Sequence, residues 1–231
     1  MKKLVALLLI GILGLLACSA PASNAKLRIL MPESPPYNYV DDKGQAAGSA
    51  TEVVRAIMQK LGQDIPIELM SWDEAYALTL KGPDIALFST ARIPSREDKF
   101  LWVGPIQKAE RYLYAKKGSG IKLNSIDDLK AGTTVAGVNE DSGTQYCLAH
   151  GCKLVYAEND EIALQKVING SADIVSASAD ISYAAKKAGV NLDDLERVLY
   201  AENHDLYIAF SKNTSASVVQ QWQQALDSIR K

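Results

Sequence analysis

Arg96 lies in the run FSTARIPSRED, Phe88 to Asp98, where an apolar stretch gives way to a proline and then to a burst of charge. Pro94 is suited to open a helical turn, which puts Arg96 in its first turn. The positive end of the helix dipole disfavours a cation there by roughly a few tenths of a kcal/mol. A guanidinium in that place can offer two parallel N–H donors to a carboxylate, a geometry that lysine lacks. Ser89 and Thr90 add hydroxyls beside it, and Ala91 leaves room. The alternative is a solvated arginine paired with Glu97 and Asp98.

Two other places combine polar groups with a helix start. Trp72 follows Ser71 in SWDE, a capping-box pattern with Glu74, so the indole falls in the first turn of a helix. It can project over a site or fill the core. Ser142, Gly143 and Thr144 open a helix after NED, with unpaired N–H groups and a small residue that lets an anion approach the backbone.

The elements that must position these groups alternate along the chain. LRIL, the helix-period segment TEVVRAIMQKLG, IPIELM, SWDEAYALTLKG and DIALF read as β-α-β-α-β. Val53, Val54, Ile57, Met58 and Leu61 share one helix face, and Gly62 supplies the stop. After residues 107–118 the pattern repeats: TTVAGV, a helix through TQYCLAHG, KLVYA, the helix NDEIALQKVINGSA, and DIVSA. Such units build mainly parallel sheets flanked by helices, an α/β fold, and two sets of this size suggest two lobes rather than one continuous sheet. The strand LYIAF and the helix SASVVQQWQQALDSIR follow, with Val218, Trp222 and Leu226 forming a core stripe. Ligands of such folds bind at the carboxyl ends of the strands, where all these junctions lie.

The first residues read as a secretory signal, because Lys2 and Lys3 precede an apolar run, Leu4 to Ala17, too short for the ~20 residues that span a bilayer. LLAC, Leu15 to Cys18, resembles a lipobox, which makes Cys18 the expected lipidated residue, residues 1–17 the signal peptide and residues 18–25 a small, polar tether. Without residues 1–17, Lys and Arg fall to 23 against 27 Asp and Glu, a formal charge of −4, so nucleic acid is not an expected partner. An oxidising compartment favours a disulfide between Cys147 and Cys152 across the turn at Gly151. Two free thiols, or a metal site with His150, are the alternatives, the latter short of ligands in a chain with two histidines.

PPYNYVDDKGQAAGSATEVVRAIMQKLG followed by WDEAYALTLKGPDIALFSTARIPSRED resembles the family 3 extracellular solute-binding proteins, receptors of polar amino-acid ABC importers. The Pro-x-Arg run at Pro94 to Arg96, before FLWVGP, is the most specific element. The resemblance implies a two-lobed clamp of the periplasmic-binding-protein type II class. Residues 26–108 and 204–231 would form lobe one, residues 109–203 lobe two, with hinges near 107–110 and 203–205. It implies that Arg96 grips a ligand carboxylate, that Ser89, Thr90, Ala91 and Tyr37 lie beside it, that Trp72 forms a wall, and that Ser142, Gly143 and Thr144 contribute from lobe two. An aspartate that receives the ligand's α-ammonium is replaced by Ser178, with Asp180 two residues late, and Ser34 stands where an aromatic residue is common.

The implied ligand is a small carboxylate, an amino acid or related acid, and the implied partner an inner-membrane permease or a sensor, with no cofactor. Two rival readings stand beside this: a structural or sensor lipoprotein that binds no ligand, and a periplasmic dehydratase on the same fold, with Glu33, Asp41 and Asp180 as the available carboxylates, none with a paired base. No GxSxG, P-loop or HExxH motif is present.

Overall fold

The structure, a computed structural model, describes residues 27–129 and 131–230. Cys18 and the expected signal and tether lie outside the described residues. No helix among the described residues is long and apolar enough to cross a membrane.

In the first lobe, strands β1 (Arg28–Met31), β4 (Ile67–Leu69) and β5 (Ile85–Ala91) are parallel, and a small hairpin pairs β2 (Tyr39–Val40) with β3 (Ala46–Ala47). Helix α1 (Ser49–Lys60) buries Ala50, Val54, Ile57 and Met58 at helical spacing. Helix α2 (Trp72–Lys81) starts where the Ser71 hydroxyl accepts from the Glu74 N–H at 3.3 Å. Every residue of β5 is buried, as its apolar sequence requires of a strand covered on both faces.

The second lobe repeats the scheme with β7 (Thr134–Gly137), β8 (Lys153–Tyr156) and β9 (Ile174–Ala177), again parallel. Helix α3 (Ser142–Ala149) is capped by Asp141, and α4 (Asp160–Ile168) by Asn159, each accepting from N–H groups of the first turn. Helix α5 (Ser182–Ala188) ends at Gly189, whose φ of 68° the left-handed cap requires.

Two strands of 17 residues, β6 (Phe100–Lys116) and β10 (Leu195–Ser211), pair antiparallel along most of their length. At one end β10 pairs with β5, and at the other β6 pairs with β9. Contrary to the expectation of separate sheets, hydrogen bonding is continuous through both lobes, in the order β4-β1-β5-β10-β6-β9-β7-β8. The reason is that the connecting segments are themselves long strands.

The apolar clusters nonetheless separate. One surrounds Ile29, Val54, Phe88, Phe210 and Trp222, and another gathers Tyr114, Leu164, Val167, Val175 and Leu195. The last helix, α6 (Ala216–Ile229), packs Trp222 with 0% exposure against Phe210, the rings 5.4 Å apart, as the stripe with Leu226 anticipates.

The expected disulfide is not formed. Cys147 and Cys152 are free, buried thiols, held side by side as the Cys152 N–H donates to the Cys147 carbonyl at 3.1 Å. Burial, with a contribution from Cys152, pushes the Cys147 thiol up to about 12, which keeps it protonated and a poor nucleophile. No group of His, Cys, Asp and Glu among the described residues could hold a metal ion.

Candidate functional site

Between the lobes lies a cavity of about 550 Å³. Arg96 forms part of its wall from the short 3₁₀ turn Pro94–Lys99, where, contrary to the expected first-turn placement, it belongs with Lys99 to the basic residues of the last turn. Only 1% exposed, it is not the solvated arginine of the alternative. One guanidinium nitrogen donates to the Ala91 carbonyl at 3.0 Å, and another to the Glu140 carbonyl of the second lobe. Its charge sits 4.9 Å from the centroid of Trp72 and 5.4 Å from that of Tyr76, rings that stack on each other. Burial lowers its pKa, against the opposing influence of Asp141, Tyr76 and Glu140. Arg96 forms no salt bridge among the described residues. A buried cation without an anion is costly unless something supplies one.

The backbone around it is strained. Ser89 has φ 56° and Glu140 φ 54°, values that side-chain-bearing residues adopt sparingly and that cluster at functional sites. The turn at Ser89 brings Ser89 and Ala91 to the cavity. The Ser89 hydroxyl is buried with no hydrogen-bond partner. Thr90 is turned inward instead, donating to the Leu87 carbonyl at 3.1 Å, and does not line the cavity.

Tyr37, Trp72, Ser142, Gly143, Ser178 and Asp180 all line the cavity, whereas Thr144 is buried behind it. Ser142 is already engaged, accepting from Arg111 at 2.8 Å. Ser178 donates to the Pro35 carbonyl at 3.2 Å across the lobes and to the Asp180 carbonyl at 2.9 Å. Asp180 accepts from the Ser182 N–H at 2.9 Å. Neither is free to replace the missing aspartate.

Three cavity residues have no part in the sequence-based site. Arg111, 4% exposed on β6, pairs with Glu202 and stands 5.4 Å from the Tyr146 ring centroid. His204, on β10, has a buried Nδ1 without a hydrogen-bond partner, and burial followed by the Arg111 charge lowers its pKa to about 4. Asp160, the first residue of α4, lines the second-lobe wall. The Arg111–Glu202 pair joins residues 91 apart in sequence, a distance at which no local signal operates. Arg92 lies outside the cavity, paired with Glu97 and flanked by Trp102 and Tyr207.

The carboxylates of the enzymatic rival are committed elsewhere. Asp41 accepts from the N–H groups of Lys43 and Gln45 in its own turn. Glu33 accepts from Tyr183 at 2.9 Å and Lys187 at 2.6 Å, and Asp180 accepts from the Ser182 N–H at 2.9 Å.

Residues 27–231 match the model of the bacterial extracellular solute-binding proteins, family 3. The chain belongs to that family. Its members are binding proteins, not enzymes. Among relatives, it is 28% identical over 173 residues to the amino-acid-binding protein AabA of Dichelobacter nodosus, covering 71% of this chain and 68% of that one. It is 24% identical over 139 residues to a probable amino-acid ABC transporter-binding protein of Haemophilus influenzae, covering 60% of this chain and 53% of that one.

Solved structures share the fold of this solute-binding protein. Holo ArgBP from T. maritima superposes with a TM-score of 0.73 at 21% identity, over 88% of this chain and 91% of that one. A histidine kinase sensor domain similar to periplasmic binding proteins gives 0.74 at 18% identity, over 88% and 90%. The two-lobed clamp architecture is common to these proteins and this chain.

Proposed function

We propose that this protein is an extracytoplasmic amino-acid receptor that closes its lobes on the ligand and delivers it to an ABC importer. The observation that carries this is Arg96, a buried guanidinium on the cavity wall with no carboxylate partner among the described residues. A ligand α-carboxylate supplies the missing anion, and the unpartnered Ser89 hydroxyl lies in the same cavity. The names of the two relatives favour an amino acid, and that of the second favours an importer over a sensor.

In this reading the moving parts are residues 26–108 with 204–231 and residues 109–203, hinged near 107–110 and 203–205. Support comes from the separate apolar clusters and from contacts that cross the cleft, including Arg96 to Glu140 and Ser178 to Pro35. Ligand that touches both sides favours the closed form by its differential contacts, and closure is what the permease reads. Cys18 would carry the lipid that tethers the receptor to the membrane.

The test is thermal unfolding against amino acids, dicarboxylates and aromatic acids, with Arg96→Lys as comparison. A ligand at ~100 times its Kd stabilises by about 2.7 kcal/mol. Stabilisation by amino acids that is lost in Arg96→Lys supports the receptor; no stabilisation by any compound refutes it.

A further inference from the structure

We propose that Asp160 receives the positive charge of the bound amino acid, so that the ligand bridges Arg96 on one lobe and the start of α4 on the other. This deepens the receptor reading and rests on it. The cavity is lined by seven acidic residues and two arginines, and the two signs are not mutually satisfied. Arg96 is a buried cation with no anion, and the Ser89 hydroxyl, 8% exposed, points to the same want of a ligand.

Most of the acids have work already. Glu33 holds Tyr183 and Lys187, and Glu161 lies 3.9 Å from Lys187. Asp141 caps α3, Asp180 accepts from the Ser182 N–H, and Glu110 accepts from the Tyr112 hydroxyl at 3.2 Å. Glu158 and Asp160 remain, neither carboxylate making a hydrogen bond or ion pair among the described residues. Glu158 acts on Tyr156, an exposed ring at the rim. Asp160 instead feels Asp141, Glu161 and Glu33, acids that converge on it from α3, from its own helix and from the first lobe.

Among the described residues, no cation acts on the Asp160 carboxyl. Lys187 on α5 is held by Glu33, with Glu161 beside it, and Tyr183 donates to Glu33. Arg96 and His204 line the same cavity, but neither is among the groups that act on the Asp160 carboxyl. Asp160 is open to the cleft yet crowded by protein behind it. That burial, followed by the repulsion of the three acids, pushes its carboxyl up to about 7. A protonated nitrogen placed there relieves the repulsion and displaces the proton. The positive charge can be the α-ammonium common to all amino acids or the side chain of a basic one; both present the same N–H donors.

Calorimetric titration of the wild-type, Asp160→Asn and Glu158→Gln proteins with arginine, lysine, glutamine and succinate, between pH 5.5 and 8.5, tests this. Wild-type affinity for amino acids is expected to rise with pH up to about 7 and then level, because only the ionised carboxylate pairs with the cation. Asp160→Asn is expected to bind at least tenfold more weakly at pH 8 and to lose that slope, while Glu158→Gln keeps both. Weakening for every amino acid assigns Asp160 to the α-ammonium; weakening confined to arginine and lysine assigns it to the side chain. Removing a repelled charge leaves the melting temperature of Asp160→Asn no lower than wild type, which separates loss of binding from loss of fold. Unchanged affinity and slope in Asp160→Asn, or succinate bound as tightly as amino acids, overturns the assignment while leaving a receptor. No binding to the wild type at all overturns the receptor itself.

Discussion

The Tyr183 hydroxyl on α5 donates to the Glu33 carboxylate of the opposite lobe at 2.9 Å. Lys187, one helical turn on, holds the second carboxylate oxygen at 2.6 Å, and the Val40 N–H donates to Glu33 at 3.1 Å. Tyr183 also sits 5.2 Å, ring to ring, from Tyr39. These contacts form a latch beside the cavity that exists only when the lobes meet. They join the two lobes through groups that a bound molecule need not touch.

Glu33→Gln is expected to shift the lobes toward the open form and weaken ligand binding about three- to tenfold, the loss of roughly 1 kcal/mol for a partly exposed charged hydrogen-bond pair. Burial alone would raise the Glu33 pKa, but Lys187, the Val40 N–H and Tyr183 together lower it. The latch is thus intact above the ordinary carboxylate range and is lost as pH falls through the lowered value. Small-angle scattering of the unliganded variant, compared with wild type, checks the shift.

Gly143→Ala is expected to weaken binding and destabilise the protein. A Cβ there would lie 2.4 Å from the Ser176 hydroxyl and 3.1 Å from an oxygen of the capping Asp141. The start of α3 must move away from β9, taking Ser142 and its Arg111 bond with it. A loss of about 1–3 kcal/mol in stability is the usual consequence of such overpacking. Chemical denaturation and a binding titration check both effects.

His204 remains neutral well below its ordinary range, its pKa lowered to about 4 by burial first and then by Arg111 and Arg96. Between about 6.5 and 4 the unfolded chain binds a proton there that the folded one does not, so this residue makes stability fall as the medium becomes more acidic, by at most about 3 kcal/mol. Asp160, raised to about 7, acts in the opposite sense over much of the same window, since the folded state holds the proton. His204→Asn is therefore expected to melt progressively higher relative to wild type as pH is lowered from 6.5 to 4. A pH-independent difference would refute the assignment.

Trp222→Ala is expected to cost about 3–5 kcal/mol, because the indole is fully buried against Phe210 in the core of the first lobe. Trp222 does not line the cavity, so the protein that remains folded keeps its ligand affinity. A drop in affinity at unchanged melting temperature would contradict this separation of core from site.

The parts of this fold legible in the sequence are those with local causes. Ser71 and the apolar faces of α1 and α6 announce their helices, and Arg96 stands out beside Pro94, although the helix there is a single short 3₁₀ turn that holds it in its last turn. Thr90 was misleading because side chains alternate along β5, so that the residue between cavity-lining Ser89 and Ala91 faces the interior. Helix α5 has seven residues and no side-chain cap, too weak a pattern to show before Tyr183 and Lys187 are seen against Glu33. Arg111 and His204 sit in strands whose pairing partners lie about ninety residues away, and the bond of Arg111 to Ser142 on α3 likewise depends on the assembled fold. The spacing of the cysteines announced their proximity but not their redox state, and the structure holds both as buried thiols.

The β6–β10 ribbon carries a mechanical consequence. Its ladder runs from one lobe into the other, with register shifts between Tyr200 and Glu202 and between Leu206 and Ile208. The lobes hang from a twisted two-stranded strap whose irregular links absorb torsion. In the proposed receptor, opening is expected to turn the strap without unzipping it, so that its backbone hydrogen bonds are kept. What distinguishes the two positions is a handful of side-chain contacts across the gap, and a molecule the size of an amino acid has enough leverage to choose between them.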